Sequence, residues 1–163
     1  MSITVRPTDD GDREWVLGML RSRWGGETMA SRGETYDASA LPGFVAVDAD
    51  GSRVGLVTYR VLSQQCCDLG VIESLQEGAG VGTALLDAVV HVASEELGCT
   101  RLRAITTNDN QRALGWYRRR GFSVVEVREG AVDEARRSLK PTIQPTNAQG
   151  VPISDEIELE RGL

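Results

Sequence analysis

The sequence has few of the side chains on which nucleophilic, metal and nucleic-acid sites depend. It holds three cysteines and one histidine in 163 residues, and its acidic residues outnumber the basic ones to give a net charge of -6. A surface that binds nucleic acid needs an excess of lysine and arginine, so we expect no nucleic-acid partner. No apolar run is long enough to span a bilayer and no signal peptide is apparent, which predicts a cytoplasmic protein with no membrane partner.

The histidine and the cysteines do not form a familiar catalytic or metal-binding pattern. His91 lies with Asp87 and Glu95 at helical spacing, which is more typical of a solvated helix face than of a metal site, so we predict no metal. The cysteines lack a CxxC spacing, which predicts reduced thiols in the core. These cysteines are Cys66, Cys67 and Cys99.

The hydrophobic pattern predicts a mixed α/β fold in a single domain, residues 1–163. A helix begins at Asp9 or Asp10, a hairpin turns at Asp48 to Gly51, and a long helix runs from Gly80 to Leu97. The segment between the first helix and the hairpin is expected to be irregular. The order of elements indicates an antiparallel meander that leads into a central parallel β-α-β unit, giving a mostly antiparallel sheet with helices on both faces.

Three glycines at alternate positions precede the long helix, and they are Gly78, Gly80 and Gly82. A glycine-rich turn that opens a helix leaves backbone N–H groups without intrahelical partners at the positive end of the helix dipole, which makes an anion site. A Walker loop needs a lysine that is absent, and a dinucleotide fingerprint needs a glycine where Thr83 stands. A tight turn between strand and helix is the alternative that this loop alone leaves open.

A second motif follows downstream, in the stretch NQRALGWYRRRGF. It fits the pattern N-x-R-A-x-x-x-Y-x-x-x-G-F through Asn110, Arg112, Ala113, Tyr117, Gly121 and Phe122. Together with the upstream Gly-x-Gly, this motif resembles the GNAT family of N-acetyltransferases, and the resemblance extends over nearly the whole chain. It implies a GNAT-like fold and an enzyme that moves an acetyl group from acetyl-CoA to an amine.

The resemblance assigns the donor site to the glycine loop and the strand before it. Backbone groups near Ile72 and Ser74 would pair with the pantetheine arm of coenzyme A as an added strand would. Asn110 would contact the same arm, and Arg112 could meet a phosphate oxygen. The pyrophosphate would be held by the backbone amides of Gly78, Ala79, Gly80, Val81, Gly82 and Thr83. The family usually has glutamine or arginine at the position of Glu77 and a basic residue just before the Gly-x-Gly, so this loop brings no positive charge of its own.

The resemblance also assigns the chemistry. Tyr117 corresponds to the general acid that protonates the departing thiolate, whereas its neighbour Trp116 is expected only to pack. Backbone N–H groups near Ile72 and Glu73 could receive the thioester oxygen. Asp68 and Glu73 lie on the strand that carries the family's acidic residue, and a regular strand would put them on opposite faces, so at most one would act as the base. Water is an alternative base.

Trp24 and Arg32 lie in the region that shapes the acceptor pocket in this family, although Trp24 fits a core position equally well. The acceptor could be a small-molecule amine or a peptide amine, and an acidic protein is suited to cationic acceptors. The sequence leaves a homodimer open. A regulatory CoA-binding protein without turnover is the alternative reading, which Glu77 and Ala79 favour and Tyr117 opposes.

Overall fold

A seven-stranded sheet and a separate two-stranded hairpin form the framework of the protein. The structure is a computed structural model that describes residues 2–63 and 65–163. The strands are β1 (Thr4–Pro7), β2 (Thr28–Ser31), β3 (Glu34–Asp37), β4 (Gly43–Val47), β5 (Arg53–Ser63), β6 (Cys66–Ser74), β7 (Arg101–Thr107), β8 (Ser123–Arg128) and β9 (Glu156–Gly162). The helices are α1 (Arg13–Arg23), α2 (Val81–His91), α3 (Gln111–Arg119) and α4 (Ala131–Ser138), with 3₁₀ turns at Asp10–Asp12 and Ala38–Ala40 and a π-helical turn at Val92–Glu96. None of the helices in this described part of the chain is long and apolar enough to cross a membrane.

The strands of the large sheet are ordered β1-β4-β5-β6-β7-β9-β8. Neighbouring strands run antiparallel, except that β6 and β7 are parallel and α2 lies between them in sequence. The prediction of a mostly antiparallel sheet with a central parallel β-α-β unit is therefore confirmed.

Helices cover both faces of this sheet. Val57 of β5 packs in the core cluster that contains Leu85 of α2, whereas its neighbour Leu56 packs in the cluster that contains Leu20 of α1. Because adjacent residues of a strand point to opposite faces, α1 and α2 lie on opposite sides of the sheet. The three cysteines are free and buried, as the sequence predicted.

Two segments differ from the sequence-based expectation. The stretch after α1 is not irregular, because β2 and β3 pair there as an antiparallel hairpin. Its turn places Arg32 at a φ of 54° and Gly33 at 76°, and a positive φ is uncommon at a residue other than glycine. Each strand has only four residues and little apolar alternation, which hides the hairpin from pattern analysis. The long predicted helix is α-helical only to His91 and ends in the π-helical turn.

The parallel pair of strands opens a gap in the sheet. Pairing between β6 and β7 ends where Asp68 lies opposite Arg103, and the structure shows no further pairing between their described residues beyond that point. β6 also carries a bulge, since Gly70 and Val71 together occupy the place opposite Thr58 of β5. The end of β6 therefore has a neighbour on one side only.

Candidate active site

The gap exposes backbone groups of β6 on the side away from β5. The N–H groups of Leu75 and Val71 donate toward β5, at 2.8 Å to a backbone carbonyl and at 2.9 Å to Thr58 Oγ1. Because backbone groups alternate in direction along a strand, the N–H and C=O groups of Ile72 and Ser74 turn toward the gap. An extended ligand could pair with them as an additional strand.

The glycine loop follows directly after β6 and opens α2. Gly78 and Gly80 have φ angles of 75° and 76°, in the left-handed region that glycine adopts without strain. Gly80 is the N-cap of α2 and has no side chain with which to cap the helix. Among the described residues after Leu75, the first amide that donates a backbone hydrogen bond is that of Ala84, which donates to Gly80 O at 3.0 Å. The preceding amides of the loop and first turn are thus free to bind an anion.

A cleft of about 510 Å³ joins the gap, the glycine loop and α3. The glycine loop and the tyrosine motif therefore line one site, although they are distant in sequence. Of the residues assigned to the donor and the general acid, those in the lining are Ile72, Ser74, Gly78, Gly80, Val81, Gly82, Thr83, Asn110, Arg112 and Tyr117. Ala79 belongs to the loop and packs against the core. Asn110 also caps α3, because its Oδ1 accepts a hydrogen bond from Ala113 N–H at 3.1 Å.

Tyr117 lies in the wall of this cleft and is only 7% exposed. Its ring packs edge-on against Trp116 and Phe122, with ring centroids 5.3 Å and 5.2 Å away. Burial, together with the negative charge of Asp68, raises the pKa of Tyr117 well above its usual value. The phenol stays protonated at neutral pH, so it is available as a proton donor.

Arg120 brings a positive charge to the glycine loop, although the loop sequence itself has none. Its Nη2 donates to Thr83 Oγ1 at 2.9 Å, and its guanidinium stacks 3.9 Å from the centroid of the Trp116 ring. Trp116 in turn lies against α2, where a Cβ on Gly82 would be 3.1 Å from Trp116 Cζ2. Trp116 therefore does more than pack, because it holds Arg120 beside the unpaired amides. The sequence shows three consecutive arginines after Tyr117 but not which of them turns toward the loop.

Glu77 and Arg112 form an ion pair at the mouth of the cleft. Arg112 Nη2 lies 2.6 Å from Glu77 Oε1, and the two side chains are 77% and 72% exposed. The acidic residue of the loop is thus neutralised by the arginine that the family resemblance assigns to a phosphate oxygen. A ligand phosphate would compete with Glu77 for this guanidinium.

The bulge in β6 places both candidate base residues on the α1 side of the sheet. Asp68 is buried, and its two oxygens accept hydrogen bonds from Arg60 Nε at 3.1 Å and Arg103 Nε at 3.0 Å. Glu73 is partly exposed and accepts from Arg23 Nη1 of α1 at 2.6 Å. The expectation of opposite faces is wrong, because the bulge inserts one extra residue between the two carboxylates and reverses the alternation.

A second cavity, of about 260 Å³, lies on the α1 side of the gap. It shares Thr106 and Asn110 with the donor cleft, so the two spaces adjoin. Trp24 and Arg32, which the sequence placed in an acceptor pocket, both line it. The β2–β3 hairpin contributes Arg32 and Tyr36, so this wall is built by the element that sequence analysis did not detect.

Buried ion pairs link four strands behind this cavity. Arg103 is 1% exposed and lies 3.0 Å from Asp68 and 3.5 Å from Glu158. Arg128 lies 2.8 Å from Glu156 and 3.2 Å from Glu158. Each of these carboxylates is therefore neutralised by arginine, and protonating one would break a buried ion pair. Within the described ranges, no group of histidine, cysteine, aspartate and glutamate side chains could hold a metal ion.

The site thus combines a gap between two parallel strands, a glycine loop at a helix start and a buried tyrosine. Residues 13–122 match the acetyltransferase (GNAT) family, and the chain belongs to that family. The uncharacterized protein YdhI of Bacillus subtilis is 34% identical over 153 residues, which cover 94% of each chain.

Solved structures share the fold at lower sequence identity. A GNAT family acetyltransferase from Elizabethkingia anophelis with acetyl-CoA bound has a TM-score of 0.71 at 16% identity, covering 99% of this chain and 98% of that one. A phosphinothricin acetyltransferase from Sinorhizobium meliloti in complex with acetyl-CoA has a TM-score of 0.70 at 18% identity, covering 100% of this chain and 89% of that one.

Proposed function

We propose that this protein is an N-acetyltransferase that transfers the acetyl group of acetyl-CoA to an amine. The observation that carries the proposal is a single cleft that combines the unpaired amides at the start of α2, the gap after Asp68 and the buried phenol of Tyr117. Membership of the GNAT family and the acetyl-CoA complexes of similar folds support the same donor.

The residues of the cleft suit the chemical parts of coenzyme A. The amides at residues 80–83 and the Arg120 guanidinium suit a pyrophosphate, because they combine oriented N–H donors with positive charge. The C=O of Ile72 and the N–H and C=O of Ser74 suit the amides of a pantetheine arm, which would then lie along β6. This arrangement directs the thioester toward Tyr117.

Two groups of this chain are placed to assist the transfer. The Ile72 N–H faces the gap and would stabilise negative charge that develops on the carbonyl oxygen, whereas the Glu73 N–H turns toward β5. The amine nitrogen forms a bond to the carbonyl carbon and loses a proton to water, the carbon–sulfur bond breaks, and Tyr117 gives its phenol proton to the departing sulfur and is reprotonated from solvent. Ile72 is therefore the better oxyanion donor of the two amides predicted from sequence.

Glu73 is the better candidate for the base. Both oxygens of Asp68 already accept hydrogen bonds from arginines inside the protein, so taking up a proton would break a buried ion pair. Glu73 has one arginine partner, Arg23, whose side chain is 51% exposed. Glu73 lines neither the donor cleft nor the second cavity, so it would take a proton from the acceptor ammonium through water, at a lower cost than Asp68 would. Asp68 would instead position β6 against β7.

Two measurements on the purified protein test the proposal. Release of free thiol from acetyl-CoA is followed with a panel of amines, and the melting temperature is measured with and without acetyl-CoA. We expect amine-dependent thiol release and a higher melting temperature, because a ligand that binds only the native state stabilises it. A raised melting temperature without release for any amine would favour the CoA-binding regulatory alternative. If acetyl-CoA neither raised the melting temperature nor released thiol, the acetyltransferase proposal and the regulatory alternative would both be contradicted.

A further inference from the structure

The second cavity, which we call the acceptor cavity, is lined by the single lysine of the sequence, Lys140. Lys140 is only 9% exposed, and its Nζ donates a hydrogen bond to Trp24 O at 2.9 Å. No carboxylate of the described residues forms an ion pair with it, and burial lowers the pKa of Lys140. An ammonium group has three donors, so most of its hydrogen-bonding capacity is left without a protein partner. A buried charge without a counter-charge is costly, which points to a charged ligand.

The carboxylates near the cavity do not neutralise Lys140, because arginines already pair with them. Three buried carboxylates share four arginines, and one of these arginines, Arg128, also pairs with the exposed carboxylate of Glu126. The pairs are Asp68 with Arg60 and Arg103, Glu156 with Arg128, and Glu158 with Arg32, Arg103 and Arg128. The buried carboxylates beside the cavity are therefore occupied by arginines, and none of them is left to neutralise Lys140.

Two further polar atoms of the cavity residues are unsatisfied. Trp24 Nε1 and Ser31 Oγ are buried and have no hydrogen-bond partner among the described residues, and both residues line the cavity. An indole N–H can only donate, and a hydroxyl can donate as well as accept. The Trp24 carbonyl is also the hydrogen-bond partner of Lys140 Nζ, so Trp24 and Lys140 lie at the same end of the cavity.

Resting on the proposed acetyltransferase function, we propose that the acceptor is a small amine that also carries a carboxylate or similar anionic group, and that Lys140 binds this group. The anion lies at the Lys140 and Trp24 end, and the amine lies where the cavity meets the donor cleft at Thr106 and Asn110. The volume of about 260 Å³ is below the usual range of roughly 300–1,000 Å³ for ligand pockets, which favours a small molecule over a protein segment. A polyamine would bring a second cation next to Lys140 and is disfavoured.

A purely structural role for Lys140 makes a different prediction. Trp24 is the C-cap of α1, and a lysine that donates to a terminal carbonyl stabilises a helix end through the helix dipole. If capping were its only role, removing the charge would lower stability and would affect all amines alike. An anion-binding role affects only the acceptors that carry an anionic group.

Matched acceptors and variants separate the two roles. Initial rates with acetyl-CoA are compared for amino acids, for the same amino acids as primary amides, and for spermidine. We expect kcat/KM to be about tenfold or more higher for an amino acid than for its amide. Lys140→Gln should abolish this preference by raising the KM of the acid while the KM of acetyl-CoA stays unchanged, and Lys140→Arg should retain part of it. Arg137→Gln, on the exposed face of α4, is the control and should change neither value.

A second measurement does not depend on turnover. Because Lys140 is the only lysine, an amine-reactive label on any lysine side chain reports on this residue alone, and peptide mass spectrometry reads its extent. N-acetyl amino acids, which resemble the product and do not consume the reagent, should protect Lys140 in the presence of coenzyme A, and their amides should not. Equal protection by acids and amides, no protection at all, or preferred acetylation of amides or spermidine would each overturn the assignment. Amine-dependent thiol release with spermidine would meanwhile leave the proposed function standing.

Discussion

At the scale of single residues, the environment of Tyr117 determines what its phenol can do. Burial keeps it protonated, and the rings of Trp116 and Phe122 hold it in the cleft wall. If it protonates the leaving sulfur, Tyr117→Phe should lower kcat by roughly two to four powers of ten and leave acetyl-CoA binding nearly unchanged. The raised pKa also predicts that wild-type activity does not fall through loss of this proton between pH 7 and about pH 10. Steady-state kinetics across pH and a binding titration provide the measurements.

The control for Tyr117→Phe is Tyr117→Ala, which removes the whole aromatic ring. Tyr117→Ala should cost about 3–5 kcal/mol of unfolding free energy, as expected for a buried aromatic side chain, whereas the Phe variant should unfold close to the wild type. A fully active Phe variant would remove Tyr117 from the mechanism and leave it a packing role.

The ion pair between Glu77 and Arg112 predicts a gain of affinity. Glu77→Gln removes a negative charge from the loop and frees Arg112 for a phosphate, so binding of acetyl-CoA should tighten by roughly two- to fivefold at low salt. The gain should shrink as salt increases, because both side chains are exposed. Calorimetric titrations at two salt concentrations check this. Adding Arg112→Gln should cancel the gain, and an unchanged affinity in the single variant would show that Glu77 does not compete with the ligand.

At the scale of elements, the contact between α2 and α3 shapes the phosphate end of the cleft. A Cβ at Gly82 would lie 3.1 Å from the rigid ring of Trp116, whereas a Cβ at Gly115 would lie 3.1 Å from the flexible end of Arg119. Gly115→Ala should therefore gain helix stability of up to about 1 kcal/mol. Gly82→Ala should show no such gain in stability and should weaken acetyl-CoA binding, because the Trp116 ring and the stacked Arg120 must move. Melting curves and binding titrations of both variants test this, and identical behaviour would contradict it.

Asp12 joins the first strand, the first helix and β5. Its oxygens accept from Arg6 at 2.8 Å and 2.9 Å and from Arg53 at 2.8 Å, and its residue is 1% exposed. The hydrogen bond from Arg6, aided by the Asp9 backbone and by Arg53, holds the pKa of Asp12 well below its usual value.

Because the pKa of Asp12 is lower in the native state, its carboxylate stabilises the fold at pH values above its pKa in the unfolded chain, which is about 4. This stabilisation is lost as the pH falls further. We expect Asp12→Asn to cost about 2 kcal/mol at pH 7 and less at pH 2, as measured by urea unfolding. Asp10→Asn, an exposed neighbour, should be neutral at both values. A cost for Asp12→Asn that did not change with pH would contradict an ionic role.

Sequence patterns predicted the elements whose signals are local. Glycines at a helix start and the apolar stripe of α2 were sufficient for the β-α-β unit, because both arise from backbone geometry. The β2–β3 hairpin was missed because four-residue strands lack a clear period, and the bulge in β6 was missed because it depends on pairing with Thr58. Arg120 and Lys140 could not be assigned from sequence, because only tertiary packing brings them to a cavity.

At the scale of the whole molecule, overall charge and local charge point in opposite directions. The net charge of -6 suggested cationic acceptors, yet the carboxylates that line the cavity, Asp68 and Glu156, are paired with arginines, and Lys140 is left without a counter-charge. Screening limits exposed charges to a range of about 8–10 Å at moderate salt, so the groups beside a ligand outweigh distant surface carboxylates. Composition therefore describes solubility and general attraction better than it describes a substrate.

Acetyl transfer to an amine is tested most directly with acetyl-CoA that carries an isotopically labelled acetyl group. The protein is incubated with it and with a mixture of amino acids, amino acid amides and polyamines, and the products are identified by mass spectrometry. We expect the label in an amide bond on an amine that also carries a carboxylate, at a rate that Tyr117→Phe lowers at least about a hundredfold. Intact amines after complete incubation, with the label remaining on coenzyme A or released only as acetate, would contradict the claim that this cleft transfers an acetyl group to an amine.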